Sequence, residues 1–294
     1  MKRTSKKIRE RPHLSDASIG ELTQGTIFNC VRVPRYPDTM AVGVVITARC
    51  DIAQNKYPIL NFVPAVPLSE WFKKDGLTLL IEAERKAILA KITQVLKDAQ
   101  ISPALLDSVD LAKIAEVHFP KDAANKAAKK LAERFEKAAS EMSTFASLLE
   151  SDDSDKIFDW FAKNKVKDVK GIITRLSKHE VSGYYFLEHL HKDEDQPSFV
   201  CLLRDVSAIS RDLSEKIAKG LSSAGLEGHF NNSETGLFNI SNDDLSMPIS
   251  CIGSPTIEHL MQTFSSLFGR IGLEDPDADF LDSIVTNLSE KNEG

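Results

Sequence analysis

The sequence predicts an α+β protein: a small antiparallel β-barrel-like sheet, interrupted by a helical insertion and followed by C-terminal helices. Three observations predict it. Residues 25–66 hold three short apolar, β-branched runs separated by proline-rich or polar breaks. From Ser69 the apolar residues recur at helical spacing for about 110 residues. At Gly183 the strand pattern returns. Three strands alone make a poor core, whereas five or six suffice, so runs within 25–66 and 183–206 are expected to share one sheet.

The first element is a tail. "MKRTSKKIRERPHLSD" carries six Lys and Arg against one Glu through Arg11, and no apolar segment follows its charges. It reads as a basic disordered tail over 1–18. "GTIFNCVRV", "MAVGVVITA" and "PILNFVPAVPL" read as strands. "PRYPD" is the turn between the first two, and the prolines of the third suggest an edge. A sheet domain is therefore expected over 19–68, resuming over 181–252.

The insertion occupies 69–180. "SEWFKKDGLTLLIEAERKAILAKITQVLKDAQ" is helical after a break at Gly76. Ser102 and Asp110 are good N-cap residues for two short helices, the first with Pro103 at its opening position. Residues 121–149 form a long Ala-rich helix. "SDKIFDWFAKN" and "VKGIITRLSKH" are shorter helices. "GYYFLEHLH" and "PSFVCLLRDVSAI" then flank the polar turn "KDEDQ" as a hairpin. A helix over "SRDLSEKIAKG", a polar loop and a last strand, "SMPISCIG", follow. C-terminal helices are expected over 253–290. The first, "SPTIEHLMQTFSSLFGRIG", has Ser254 as N-cap, Gly272 as stop and one apolar stripe through Ile257, Leu260 and Phe264. Two independent α+β domains meeting near residue 180 are the competing division.

The 294 residues are 42% hydrophobic and 27% charged, the composition of a soluble globular protein. The net charge of −6 gives no whole-molecule attraction to nucleic acid or anionic lipid. No run is long and apolar enough to span a bilayer, so no membrane association is expected. Four widely spaced cysteines without an export signal read as reduced thiols in a cytoplasmic protein. There is no phosphate-binding or dinucleotide glycine motif, no H-E-x-x-H, no G-x-S-x-G and no zinc-finger spacing. No cofactor and no resident metal are expected.

The candidate chemistry centres on "GVVITARCDI", where an apolar strand stops on Arg49, Cys50 and Asp51. Either Asp51 makes a local turn beside a buried thiol, or the pair belongs to a site. A thiol serves as nucleophile or ligand only as thiolate, which needs a cation, an imidazole or a metal nearby. "EHLHKDED" offers His189 and His191, which share a face if the segment is a strand. Cys50, Asp51, His189 and His191 are the candidate catalytic residues. Lys2, Arg3, Lys6, Lys7, Arg9 and Arg11 are the candidate nucleic-acid contacts.

"VVITARCDI" before "ILNFVPAV", together with "SPTIEHLMQTFSSLFGRIG", resembles bacterial proteins of unassigned activity that carry a V-I-[ST]-x-x-C-D strand end. The strand succession from Gly25 to Val66 also resembles the small SH3-like barrel of MazF/PemK-type toxins. This chain departs from that family by its helical insertion and by Cys50–Asp51, so no ribonuclease activity or catalytic residue is carried over. The resemblance implies a stress or phage-defence setting.

The leading expectation is a non-catalytic binding or regulatory module of a cytoplasmic complex. Its helical surfaces would meet a protein partner or a second copy. A metal-assisted hydrolase or nuclease-like enzyme at Cys50, Asp51, His189 and His191 is one alternative. Nucleic-acid binding through the basic tail is the other.

Overall fold

The computed structural model describes residues 14–120, 125–151, 153–190, 197–228 and 230–269. Its strands form one eight-stranded antiparallel sheet curled into a half-barrel, with helices packed on it. The chain begins with β1 (Leu14–Asp16), β2 (Thr26–Val33) and β3 (Tyr36–Val45). Next come a helical turn, α1 (Arg49–Ala53), and the long strand β4 (Ile59–Pro67). Leu14–Asp16, expected in the basic tail, instead pairs with the last strand of the sheet. The turn between β2 and β3 is only Pro34–Arg35, because Val33 already faces Tyr36 across the ladder.

The helical block follows. α2 (Leu68–Trp71), a wider π turn (Phe72–Gly76) and α3 (Leu77–Asp98) run on as one helix, so the break expected at Gly76 is absent. A Cβ on Gly76 would stand 2.9 Å from the Trp71 ring, so close packing and not a helix stop calls for glycine there. A short 3₁₀ turn (Pro103–Asp107) is capped by the Ser102 hydroxyl, as its sequence predicts. α4 (Leu111–His118), α5 (Lys126–Leu149), α6 (Ser154–Asn164) and α7 (Val166–Ser177) complete the block.

The chain then re-enters the sheet through β5 (Tyr184–Leu187), β6 (Phe199–Leu202) and β7 (Ser207–Ser210). The helices α8 (Arg211–Lys219), α9 (Ser223–Glu227) and α10 (Asn232–Thr235) lead to β8 (Pro248–Ile252). α11 (Thr256–Phe268) is the last described element; the helix expected beyond residue 275 lies outside the described residues. The strand order is β1-β8-β2-β3-β4-β6-β5, with β7 also on β4. Strands before and after the helical block therefore share one sheet.

β4 is central, not an edge, despite Pro64. The Asn61 carbonyl accepts the Ile46 N–H from β3, so Phe62, Pro64 and Val66 face the opposite neighbour. On that side β7 pairs with Ile59–Phe62 and β6 with Ala65–Pro67. Pro64 falls in the gap between them, where no ladder bond needs its missing N–H.

Alternation along the strands gives the sheet two buried faces. Phe28, Val45, Phe62, Val66, Val200 and Leu202 join one core with the helical block and α8. Val44, Val63, Ala65, Cys201, Leu187 and Ile252 join another with Ile257 and Leu260 of α11. Phe28 packs edge-on against Phe62 at 5.1 Å and fills the space over Gly43, where a Cβ would lie 2.3 Å from its ring.

Candidate functional site

Cys50 and Asp51 lie on a helical turn and not at the end of a strand. The ladder of β3 closes when the Thr47 hydroxyl accepts the Asn61 N–H at 2.7 Å. The Ala48 carbonyl then takes the N–H groups of Asp51 and Ile52, which starts α1. Ile52 anchors that turn in the core, while Arg49, Cys50 and Asp51 are exposed. The Cys50 sulfur lies 3.7 Å from the Asp51 carboxylate.

His189 lies two residues beyond β5 and is mostly buried. Among the described residues its Nδ1 has no hydrogen-bond partner, and its Nε2 is 3.6 Å from the Glu188 carboxylate. The register decides whether it can meet Cys50. Val45, before Cys50, faces Phe62 of β4. Leu187, before His189, faces Phe199, which faces Pro67. Those rows are five β4 residues apart, about 17 Å of strand, and each chain leaves the sheet away from the other. The thiol–acid pair and His189 thus sit at opposite ends of β4. His191 and the six cations Lys2, Arg3, Lys6, Lys7, Arg9 and Arg11 lie outside the described residues. Among the described residues no three His, Cys, Asp or Glu side chains are placed to hold a metal ion.

Three arrangements that the sequence did not show lie elsewhere. At the joint between the sheet and the helical block, Arg35 grips both Asp75 carboxylate oxygens at 2.7 Å and donates through Nε to Asp205 at 3.0 Å. The two-residue hairpin turn supplies Arg35, the π turn supplies Asp75, and the turn between β6 and β7 supplies Asp205. Lys74 donates to the Arg35 carbonyl. Burial, then the negative charge of Asp75, pushes the Tyr36 and Tyr184 phenols up. Both phenols therefore stay protonated at neutral pH. Among the described residues the buried Trp71 indole N–H lacks a hydrogen-bond partner. This joint fastens the helical block to the sheet. No local spacing announces it, because Arg35 is 40 residues from Asp75 and 170 from Asp205.

On the other face, the His179 ring stacks on Tyr185 at 4.0 Å and meets His259 edge-on at 5.0 Å. The Tyr185 hydroxyl reaches the Thr256 carbonyl at 3.3 Å and His259 Nδ1 at 3.1 Å. His179 Nδ1 accepts the Phe186 N–H at 3.4 Å, which leaves its proton on Nε2. Burial, then the neighbouring His259, lowers the His179 pKa. His179 thereby covers an outward N–H of the edge strand β5 and links it to α11.

The third arrangement is an open trough of about 490 Å³ between α3 and α5. Ala87, Ala90, Val95 and Ala138 lie along it, and Ala87 and Ala90 are exposed. Its charged rim is tied across the two helices by Lys91–Glu141 at 2.6 Å and Arg134–Asp98 at 2.7 Å. The Ala-rich character of this helix was visible in the sequence; its pairing with α3 was not.

No family model matches the chain, and neither curated proteins nor solved structures give a significant match.

Proposed function

We propose that the chain is a non-catalytic binding module of a larger cytoplasmic assembly, and that it receives a protein partner in the trough between α3 and α5. The observation that supports this is the small-residue floor. Exposed alanines at 87 and 90, one helical turn apart, let another backbone come close. Lys91 and Arg134 on its rim are held in cross-helix pairs with Glu141 and Asp98, so they frame the trough without filling it. The apolar face of one partner helix fits such a shape, with anchors every three or four residues.

The test is site-specific photo-crosslinking from position 87 of the full chain in its native cells. A discrete adduct that disappears in the Ala90→Glu variant is the expected result, with circular dichroism confirming that the variant folds. No adduct, or one indifferent to Ala90→Glu, overturns the proposal.

A further inference from the structure

We propose that the outward face of α7 is a nucleic-acid contact surface that holds the phosphate backbone. Between Lys163 and Lys178 the chain carries six Lys and Arg against a single Asp, inside a molecule of net charge −6. α7 buries Ile172 and Leu176 against the core. At 100° per residue, the opposite side carries Lys167, Lys170 and the following Lys178, with Arg175 on its flank, all exposed. Asp168 stands at the margin of that arc.

None of these four cations forms an ion pair among the described residues, whereas Lys165 beside them is bound to Glu84 at 2.7 Å. The reason lies in the spacing: no acid occupies the positions three or four residues from Lys167, Lys170 or Arg175.

Gly171 is the independent observation. Glycine inside a helix is destabilising relative to alanine. A Cβ here would meet nothing within 4 Å, so packing does not require the glycine. Gly171 and Thr174 form the centre of the basic arc, where small side chains allow a bulky polyanion to approach the helix. A phosphate backbone supplies closely spaced charges to such a row. A membrane surface fits less well, because the apolar residues that α7 exposes, Val166 and Ile173, lie to one side of the basic arc and not along its centre.

The test is fluorescence anisotropy of the full-length chain with a labelled DNA duplex of about 20 base pairs and a single-stranded RNA of equal length, titrated from about 50 mM salt upward. The variants are Lys167→Ala/Lys170→Ala/Lys178→Ala, Gly171→Glu, and a tail variant with Lys2, Arg3, Lys6, Lys7, Arg9 and Arg11 all changed to Ala. The expected result is salt-sensitive binding to at least one probe. The triple variant should weaken it at least about tenfold, and for duplex should flatten the logarithmic salt slope by about 2.7, or 0.9 per lost phosphate contact. Gly171→Glu should weaken it without removing a cation. Alanine favours helix and position 171 has open space, so both variants should fold, which circular dichroism checks.

Absence of binding at low salt overturns the inference. So does binding unchanged by the triple variant, and its loss in the tail variant would then move the contact to the tail. Adsorption to phosphatidylserine vesicles without binding to either nucleic acid also overturns it. Ala90→Glu in the trough should leave nucleic-acid binding intact, so this surface and the protein-binding proposal fail separately.

Discussion

The two faces of the curled sheet are closed by different means. One lies under the helical block, with aromatic packing from Phe28 and Phe62 outward and a partly buried ion pair, Lys165–Glu84, within that block. The other, among the described residues, is covered by α11 through Ile257 and Leu260, with a titratable joint of His179, Tyr185 and His259 at its margin. The first face is held by packing from several elements and by ion pairs between carboxylates and permanent cations. The second is held by one helix, and His179, whose pKa is lowered by burial, stands at its edge. A response near neutral pH is therefore expected from the second side.

The largest expected effect tests the packing half of that contrast. Phe62→Ala empties a fully buried ring site and should cost about 4 kcal/mol. Leu260→Ala, under the single helix, should cost about 3 kcal/mol. Urea unfolding of both variants gives the ranking, and a larger loss from Leu260→Ala would reverse it.

Lys165→Met comes next, because it strands the Glu84 carboxylate, whose side chain is only 9% exposed. The expected loss is about 3 kcal/mol. Adding Glu84→Gln should restore much of it, since the amide carries no unpaired charge. If the second substitution makes no difference, the pair does not supply the stability assigned to it.

The smallest effect is the most selective. His179 has a folded-state pKa below its ordinary value of 6.5, so the fold favours the neutral ring. Its contribution is fully present above pH 6.5 and is lost as pH falls through that value toward the lower folded pKa. Protonating Nδ1 would also remove the acceptor for the Phe186 N–H. Thermal melts from pH 7.5 down to about pH 5 should show a falling midpoint that is flatter in His179→Gln. A variant with an undiminished slope would place the acid sensitivity elsewhere.

Much of the fold was legible in the residues. β-branched runs marked β2, β3 and β4, and the change of apolar period at Ser69 marked the block. The stripe through Ile257 and Leu260 marked the buried face of α11. Three features were not. Leu14–Asp16 is too short and polar to read as a strand until β8 is beside it. Pro64 looked like an edge signal, because the β6–β7 gap that tolerates it forms some 140 residues later. Cys50 sat on what looked like a strand, although the Thr47 hydroxyl ends the ladder and a helical turn follows.

By itself, then, the sequence determined the kinds of element, their order, the side that each turns inward and the unbalanced charge of α7, all properties carried within a few turns of chain. Only tertiary structure decided position along the sheet. Alternation sets which way a side chain points, but register is set by pairing between segments more than a hundred residues apart. That pairing put Cys50 at one end of β4 and His189 at the other, and joined Arg35 to Asp75 and Asp205.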